Sequence, residues 1–392
     1  MRVLFCHDGP LRKDEKNEFY GTAHNDETFK RYYSIAEELA VVIRVQEIMS
    51  DEASNRLSKI TVNPFEVISC PNISSFKGQL TNKKNAINII ANEIQKSDYI
   101  IARLPSFVGN IAVDFARKYG KPYLVEVVAC PWDGFWNHSM TGKFIAPLMY
   151  YATKKRVKES LYAIYVTNHF LQNRYPTDGK HTNCSNVALT EFDDGVLERR
   201  LTKIESMKDT DKIVIGTTAA VNVRYKGQQY IIQALGKLKK QGFTNFEYQL
   251  VGGGDQVFLK SIAEKHDVLD QVKFLGAMTH NKVFDWLETI DIYTQPSRQE
   301  GLPRALIEAM SRAIPAFGAR TAGIPELLDD KFIFSNTKKN IDEIIKILKS
   351  FDKQAMTKQA TRNYEESKKY DKNVIEERRR RFFEAFKNRS LC

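Results

Sequence analysis

At 392 residues the chain is long enough for two domains of ordinary size, each with its own core, and a hydrophobic share of 42% beside 27% charged residues excludes large-scale disorder. The net charge of +11 implies a negatively charged partner, and nucleic acid, anionic lipid and nucleotide phosphates all qualify. No RNA-binding aromatic signature or zinc-finger spacing appears, so no nucleic-acid partner is expected.

Residues 2–6 read as the first strand. They are too short for a signal-peptide core, and no segment holds the roughly 18 apolar residues that a membrane span needs. Cys6, Cys70, Cys130, Cys184 and Cys392 are scattered, odd in number and without a Cys-x-x-Cys pair, so neither a disulfide framework nor a metal site is expected and a reducing cytoplasm is the simplest home. The polar stretch 7–22 reads as an unusually long loop. In an open α/β sheet ligands sit at the carboxyl ends of strands, so this loop is expected to face a cleft.

Helical pattern at 26–39 precedes a strand at 41–45, and 65–70 reads as another strand. Helical periodicity at 85–95 and 110–119 alternates with strands at 98–103 and 123–128. Such alternation argues for a parallel sheet covered on both faces. Residues 129–138 follow as an aromatic, polar loop at the same sheet edge, with Trp132 and Trp136 suited either to stacking on a sugar or to anchoring the loop. The apolar and basic helix at 143–158 fits an anionic membrane surface and fits equally a core helix with a solvated basic face. A strand at 162–167 leads to a helix ending near Pro176, where His169 reads as a cap or packing residue. Residues 186–189 read as the last strand of a first domain, and the charged stretch 190–211 as a linker.

The second domain opens with a strand at 212–217 that runs toward Arg224, Lys226 and Gly227. In an extended segment Arg224 and Lys226 project to one side. A strand at 248–251 enters the glycine turn 252–254, yet the dinucleotide fingerprint is incomplete because position 257 is Val257, which removes the main support for an oxidoreductase. A strand at 272–275 leads into the loop that holds Met278. An apolar strand at 290–294, a loop marked by Pro296 and Gly301, and a helix begun by Pro303 complete the pattern. Glu300 lies in that loop and Glu308 about one turn into that helix, so the two carboxylates can straddle a ligand at the helix N-terminus. Carboxylates beside a phosphate repel it unless they bond to hydroxyls. A nucleotide-diphosphate sugar carries both groups.

The stretch from Glu300 through Gly301, Leu302, Pro303, Arg304 and Ala305 to Glu308, Ala309 and Met310 resembles the retaining nucleotide-sugar glycosyltransferases of family 4, the glycosyl transferases group 1, marked by Glu, seven residues, Glu. The resemblance is strong over residues 212 to 330 and only architectural before that. It implies an α/β fold of two facing Rossmann-like domains (GT-B) with an interdomain cleft. The domains are expected at 1–195, joined by a C-terminal helix from about 371 to 392, for the acceptor, and at 196–370 for the donor.

By the same resemblance Glu300 contacts the transferred sugar, Glu308 binds the nucleotide ribose, and Lys226 neutralises the donor diphosphate. The usual companion Arg, five residues before the Lys, is Val221, and Arg224 is the expected replacement. Gly253 belongs to a glycine turn facing the donor, Met278 sits where relatives hold the base, and Gly301, Leu302 and Arg304 line the phosphate end. The first loop of relatives bears glycine, which makes Gly21 an acceptor-side candidate beside Gly9. Many relatives carry a His at the end of the strand that Pro122 opens; that position is Val128, leaving Asp133, Asn137 and His138 as candidates for acceptor-side polar work.

The implied reaction moves a sugar from a nucleotide-diphosphate donor to an acceptor hydroxyl with retention and without cofactor or metal. The charge and the missing span suit a polyprenyl-diphosphate-linked saccharide used for surface polysaccharide, with the protein peripheral at the inner face of the cell membrane. The basic run 378–381 in the last helix suits lipid headgroups or solvent. The departures at Val128 and Val221 motivate a second class, a non-catalytic nucleotide-sugar-binding partner of another transferase, and a third is a sugar-nucleotide epimerase of similar architecture.

Overall fold

The computed structural model of the chain describes residues 1–22, 24–136, 140–187, 189–190, 192–193 and 195–389. The chain divides into two compact units, one formed by Met1–Cys184 with Glu376–Cys392 and the other by Ser185–Ile375.

The first unit is built on strands β1 (Arg2–Lys13), β2 (Phe19–Gly21), β3 (Glu38–Glu47), β4 (Ser58–Lys59), β5 (Phe65–Ser69), β6 (Tyr99–Leu104), β7 (Tyr123–Val127), β8 (Tyr162–Tyr165) and β9 (Lys180–Asn183). Seven of them form a parallel sheet in the order β5-β3-β1-β6-β7-β8-β9, while β2 and β4 extend β1 antiparallel. Helices cover the apolar strands, and every residue of β6 is buried. The order reverses between β1 and β6, so the ligand-binding crevice of this sheet belongs at the ends of those two strands.

Several expectations change here for local physical reasons. Residues 7–22 are not one long loop. The register of β1 shifts between Cys6 and Pro10, the strand resumes through buried Leu11, and it returns as β2. Asp14 closes the turn by accepting from the amides of Lys16 and Glu18 at 3.0 and 2.8 Å. The helix expected at 26–39 breaks into Asp26–Lys30 and a 3-10 turn Arg31–Ser34, because the β-branched run Val41, Val42 and Ile43 draws the chain into β3 from Glu38. Residues 131–136 are helical, with Pro131 in the first turn. The last strand is the polar edge strand β9, and Leu189 makes only an isolated bridge to Asp371.

The basic run in the last helix, Lys372–Arg389, divides between two residues engaged inside the first unit and two on its exposed surface. Arg379 is buried and pairs with Glu376, and Arg378 donates to the Asn183 carbonyl at 3.1 Å. Arg380 and Arg381 pair with Glu377 at 2.8 and 2.7 Å. Phe383 and Phe386 lie in the interior, Phe386 edge-on to Tyr99 and Tyr162.

The second unit carries β10 (Ile213–Thr218), β11 (Phe246–Val251), β12 (Val272–Gly276), β13 (Ile292–Gln295), β14 (Ala316–Ala319) and β15 (Ile333–Phe334), all parallel, in the order β12-β11-β10-β13-β14-β15. The expected linker at 190–211 is occupied by a helix, Gly195–Ser206, whose Val196, Arg200 and Ile204 make one buried stripe. Arg200 donates to the carbonyls of Ile290 and Leu287 at 2.6 and 3.0 Å, which ties this helix to the segment entering β13. The order of the sheet reverses between β10 and β13, and the loops after those two strands carry the carboxylate and lysine candidates.

Candidate functional site

The loop after β10 ends in a 3-10 turn, Arg224–Lys226, closed by Gly227 at φ +80°. A Cβ on Gly227 would lie 1.9 Å from the Pro296 carbonyl oxygen, so only glycine lets this loop press backbone to backbone on the loop after β13. The Arg298 amide donates to the Tyr225 carbonyl at 2.7 Å across the same seam. This closeness sets Lys226 Nζ 2.8 Å from Glu300 Oε1.

Glu300 is fixed from a second side. Gln295, buried at the end of β13, donates from Nε2 to Glu300 Oε1 at 3.1 Å and to Ser297 Oγ at 3.0 Å, and its Oε1 accepts from the Tyr293 hydroxyl at 3.1 Å. Burial raises the Tyr293 phenol well above its ordinary range, with Glu308 and Glu300 adding to the rise, so it remains a neutral donor that feels both carboxylates. Glu308 itself is buried on the helix Arg304–Ser311, with Oε1 3.3 Å from His280 Nε2. His280 opens the helix His280–Thr289 after β12, so three strand ends contribute to one constellation.

The remaining donor-side candidates spread around this pair. Gly301 accepts from the Gly323 amide at 2.9 Å through its carbonyl, while the amides of Gly301 and Leu302 have no acceptor among the described residues. Pro303 caps the helix without an amide hydrogen. Arg304 is exposed, with Nη2 3.5 Å from the Asn186 carbonyl. Gly253 accepts from the Val221 amide at 3.1 Å, which holds the glycine turn against the loop after β10. Met278 is half-buried between β12 and the helix begun by His280.

The expectation for Arg224 changes. The segment is a 3-10 turn rather than extended, and residues two apart in such a turn diverge instead of sharing a side. Arg224 therefore stands 4.4 Å over the Phe258 ring while Lys226 reaches Glu300. Val221 is buried in the core, so no cation occupies that place either.

Of the acceptor-side candidates of the first unit, the described ones, Gly21 and Asp133, lie on different elements. Gly21 lies in β2 opposite Ser58, and a Cβ there would sit 1.9 Å from the His24 carbonyl oxygen, a packing reason for glycine. Asp133 lies in the helix Pro131–Trp136 with Arg174 Nη2 at 4.0 Å. Trp132 and Trp136 stack on each other, with centroids 5.2 Å apart at 13°. Asn137 and His138 lie outside the described residues.

At the switch point of the first unit the structure presents a pair the sequence reading missed. His7, in the bulge of β1, takes the Gly9 amide on Nδ1 at 2.8 Å and has His24 Nε2 3.1 Å from the same atom. An Nδ1 that accepts the amide carries no proton, so His24 Nε2 is the donor and His7 bears its hydrogen on Nε2. Burial pushes His24 down to about 3 and His7 well below its usual value, with Arg103 adding to both shifts. Both rings thus stay neutral when folded, whereas the unfolded rings take up protons below about pH 6.5. Stability is therefore complete above that value and falls as pH drops toward 3; His24 alone is expected to cost about 2 kcal/mol by pH 5. Denaturant unfolding at pH 7 and pH 5 checks this, and His24→Gln should shrink the difference, leaving the part due to His7.

The family described as Glycosyl transferases group 1 matches residues 199–369, which contain the whole Lys226, Glu300 and Glu308 constellation. Protein CapJ of Staphylococcus aureus is 30% identical over 363 residues, 92% of this chain and 88% of that protein. The amylovoran biosynthesis glycosyltransferase AmsK of Erwinia amylovora is 36% identical over 111 residues, 26% of this chain and 27% of its own. Among solved structures, HepE of Anabaena in complex with UDP superposes with a TM-score of 0.62 at 17% identity, covering 96% of this chain and 98% of that one. Two units built on parallel sheets, this likeness of fold and a relative matched over nearly its full length agree: the chain belongs to the glycosyl transferases group 1 and is a glycosyltransferase of the GT-B fold.

Proposed function

We propose that this glycosyltransferase moves a sugar, with retention at the anomeric carbon, from a nucleoside-diphosphate donor held by the second unit to a hydroxyl of a lipid-linked saccharide, in the assembly of a surface polysaccharide at the inner face of the membrane. The observation that carries the reading is the Lys226–Glu300 pair at the switch point of the second sheet, with Glu308 presented from the helix beside it. Glu300 positions hydroxyls of the sugar, Glu308 accepts from the ribose, and Lys226 with the amides of Gly301 and Leu302 takes the diphosphate. The bond from the anomeric carbon to the diphosphate oxygen breaks, the acceptor oxygen bonds to the same face, and its proton passes to the departing phosphate oxygen. That route needs no separate protein base, which accords with Val128 at the strand end.

Structures of HepE with UDP and with UDP-glucose support a uridine nucleotide as the first donor to test. The names of AmsK and of the putative colanic acid biosynthesis glycosyltransferase WcaL of Escherichia coli support polysaccharide assembly. A melting-temperature panel of nucleotide sugars identifies the donor, and nuclear magnetic resonance of the product with a polyprenyl-linked acceptor reads the anomeric configuration. Nucleotide release that depends on the acceptor, with configuration kept, is the expected result. An inverted product removes the retaining mechanism, and isomerised donor formed without acceptor removes transfer to a saccharide.

A further inference from the structure

The helix Met140–Lys158 is apolar on two opposite faces, and only one of them is used by the fold. Gly142, Ala146, Met149, Thr153 and Val157 are buried and pack it onto the first unit. Met140, Phe144, Leu148 and Tyr151 are 70%, 79%, 71% and 68% exposed. At about 100° per residue these four lie within an arc of about 80°, roughly opposite the buried stripe. Single exposed apolar side chains are ordinary, but four large ones in register on one helix form a patch that needs an occupant.

The charge around the patch selects that occupant. Lys155 and Lys158 are exposed and fall on the same arc at its C-terminal end, and exposed Lys143 flanks it near the start. Lys143 Nζ lies 5.7 Å from the Trp136 ring, which is itself 42% exposed, and Leu161, 55% exposed, continues the apolar surface past the helix. Apolar side chains rimmed by lysine, with Trp and Tyr among them, match the boundary between acyl chains and anionic headgroups, where each lysine stem lies along the apolar layer and its ammonium meets phosphate. No helix of the described residues is long and apolar enough to cross a membrane, and an apolar face on one side of a helix suits the plane of the interface.

We propose that the outer face of Met140–Lys158 seats the protein on an anionic lipid bilayer. The seat gives the first unit access to an acceptor that stays in the membrane, and for that use it rests on the lipid-linked acceptor proposed above. The basic run of the last helix is not part of it, since Arg378 and Arg379 are engaged inside the first unit.

The test is co-sedimentation of the full chain with phosphatidylcholine vesicles with and without phosphatidylglycerol. Binding is expected only with the anionic lipid and should weaken as salt is raised. Phe144→Ser with Leu148→Ser should lower the partition at least about tenfold, and Lys155→Ser with Lys158→Ser by about the same, at roughly fivefold per lysine. Both doublets lie on exposed positions, so circular dichroism melts should match the parent. Absence of vesicle binding, or binding that the apolar doublet leaves unchanged, overturns the proposal. A dimer in solution that the same doublet dissolves also overturns it, in favour of a second copy as the occupant. Nucleotide release with a water-soluble acceptor analogue should be equal in parent and doublets. Vesicle binding without transfer to any lipid-linked saccharide would remove the proposed acceptor and leave the seat standing.

Discussion

Lys226→Ala is expected to lower kcat about a thousandfold while raising the donor KM far less, because negative charge on the departing diphosphate develops only as the anomeric bond breaks. The ammonium that would meet that charge is already in place, held 2.8 Å from Glu300 on the seam that Gly227 permits. Removing it also leaves Glu300 with Gln295 as its remaining partner in that network, so the carboxylate proposed to position the sugar loses one of its two anchors. The two effects share a single pair. Glu300→Gln combined with Lys226→Ala should therefore fall well short of the product of the single losses, the signature of coupled groups. Lys226→Arg should recover only part of the rate, since a planar fork cannot replace a compact ammonium in this space. Arg224→Ala, whose side chain stands on Phe258, should lose less than about tenfold. A thousandfold loss at Arg224 beside a modest one at Lys226 would exchange their roles and defeat the assignment.

How far the fold and site could be read beforehand depended on how each segment spends its polarity. β10 and β13 were legible because each opens on apolar residues, Ile213, Val214 and Ile215 in one and Ile292 and Tyr293 in the other, and glycine and proline mark where the chain must turn. β9 was not, since Lys180, His181, Thr182 and Asn183 make an edge strand whose side chains are half in water. The β1 to β2 return was hidden for a related reason: a bulge between Cys6 and Pro10 interrupts the alternation, and Asp14 closes a turn that composition alone reads as loop. In the site, Glu300 and Glu308 carried a spacing and Lys226 a position. The contact between Lys226 and Glu300 joins residues 74 apart in the chain and depends on two loops meeting at Gly227, which no local pattern records. The expectation that Arg224 projects beside Lys226 failed for want of one torsional fact, that their segment turns rather than extends. His280 and the His7–His24 pair act through neighbours distant in the chain, and Tyr293 accepts from the Thr218 amide of β10 at 3.4 Å, so only the fold brings these partners together.

Glu308→Gln should weaken donor binding about a hundredfold and leave kcat within about tenfold, the reverse of the Lys226 pattern. A carboxylate that accepts from two ribose hydroxyls holds ground state and transition state alike, and each such charged bond is worth about 1.5–3 kcal/mol. The position favours a strong effect. Glu308 is buried on a helix of its own sheet layer, so the uncharged amide keeps the volume and the Ser311 bond to the Glu308 carbonyl while losing only acceptor strength. His280 Nε2, 3.3 Å from Oε1, orients the carboxylate from the solvent side, and His280→Ala should cost a smaller part of the same affinity. A structural role and a ribose role separate on a 2′-deoxy donor. The parent should discriminate against it by roughly tenfold or more, the value of one lost bond to a charged acceptor, and Glu308→Gln should bind the two donors more nearly alike. If both proteins show the same ratio, the carboxylate is not on the ribose. If the variant's melting temperature falls as far as its affinity, Glu308 serves the packing of Arg304–Ser311 instead.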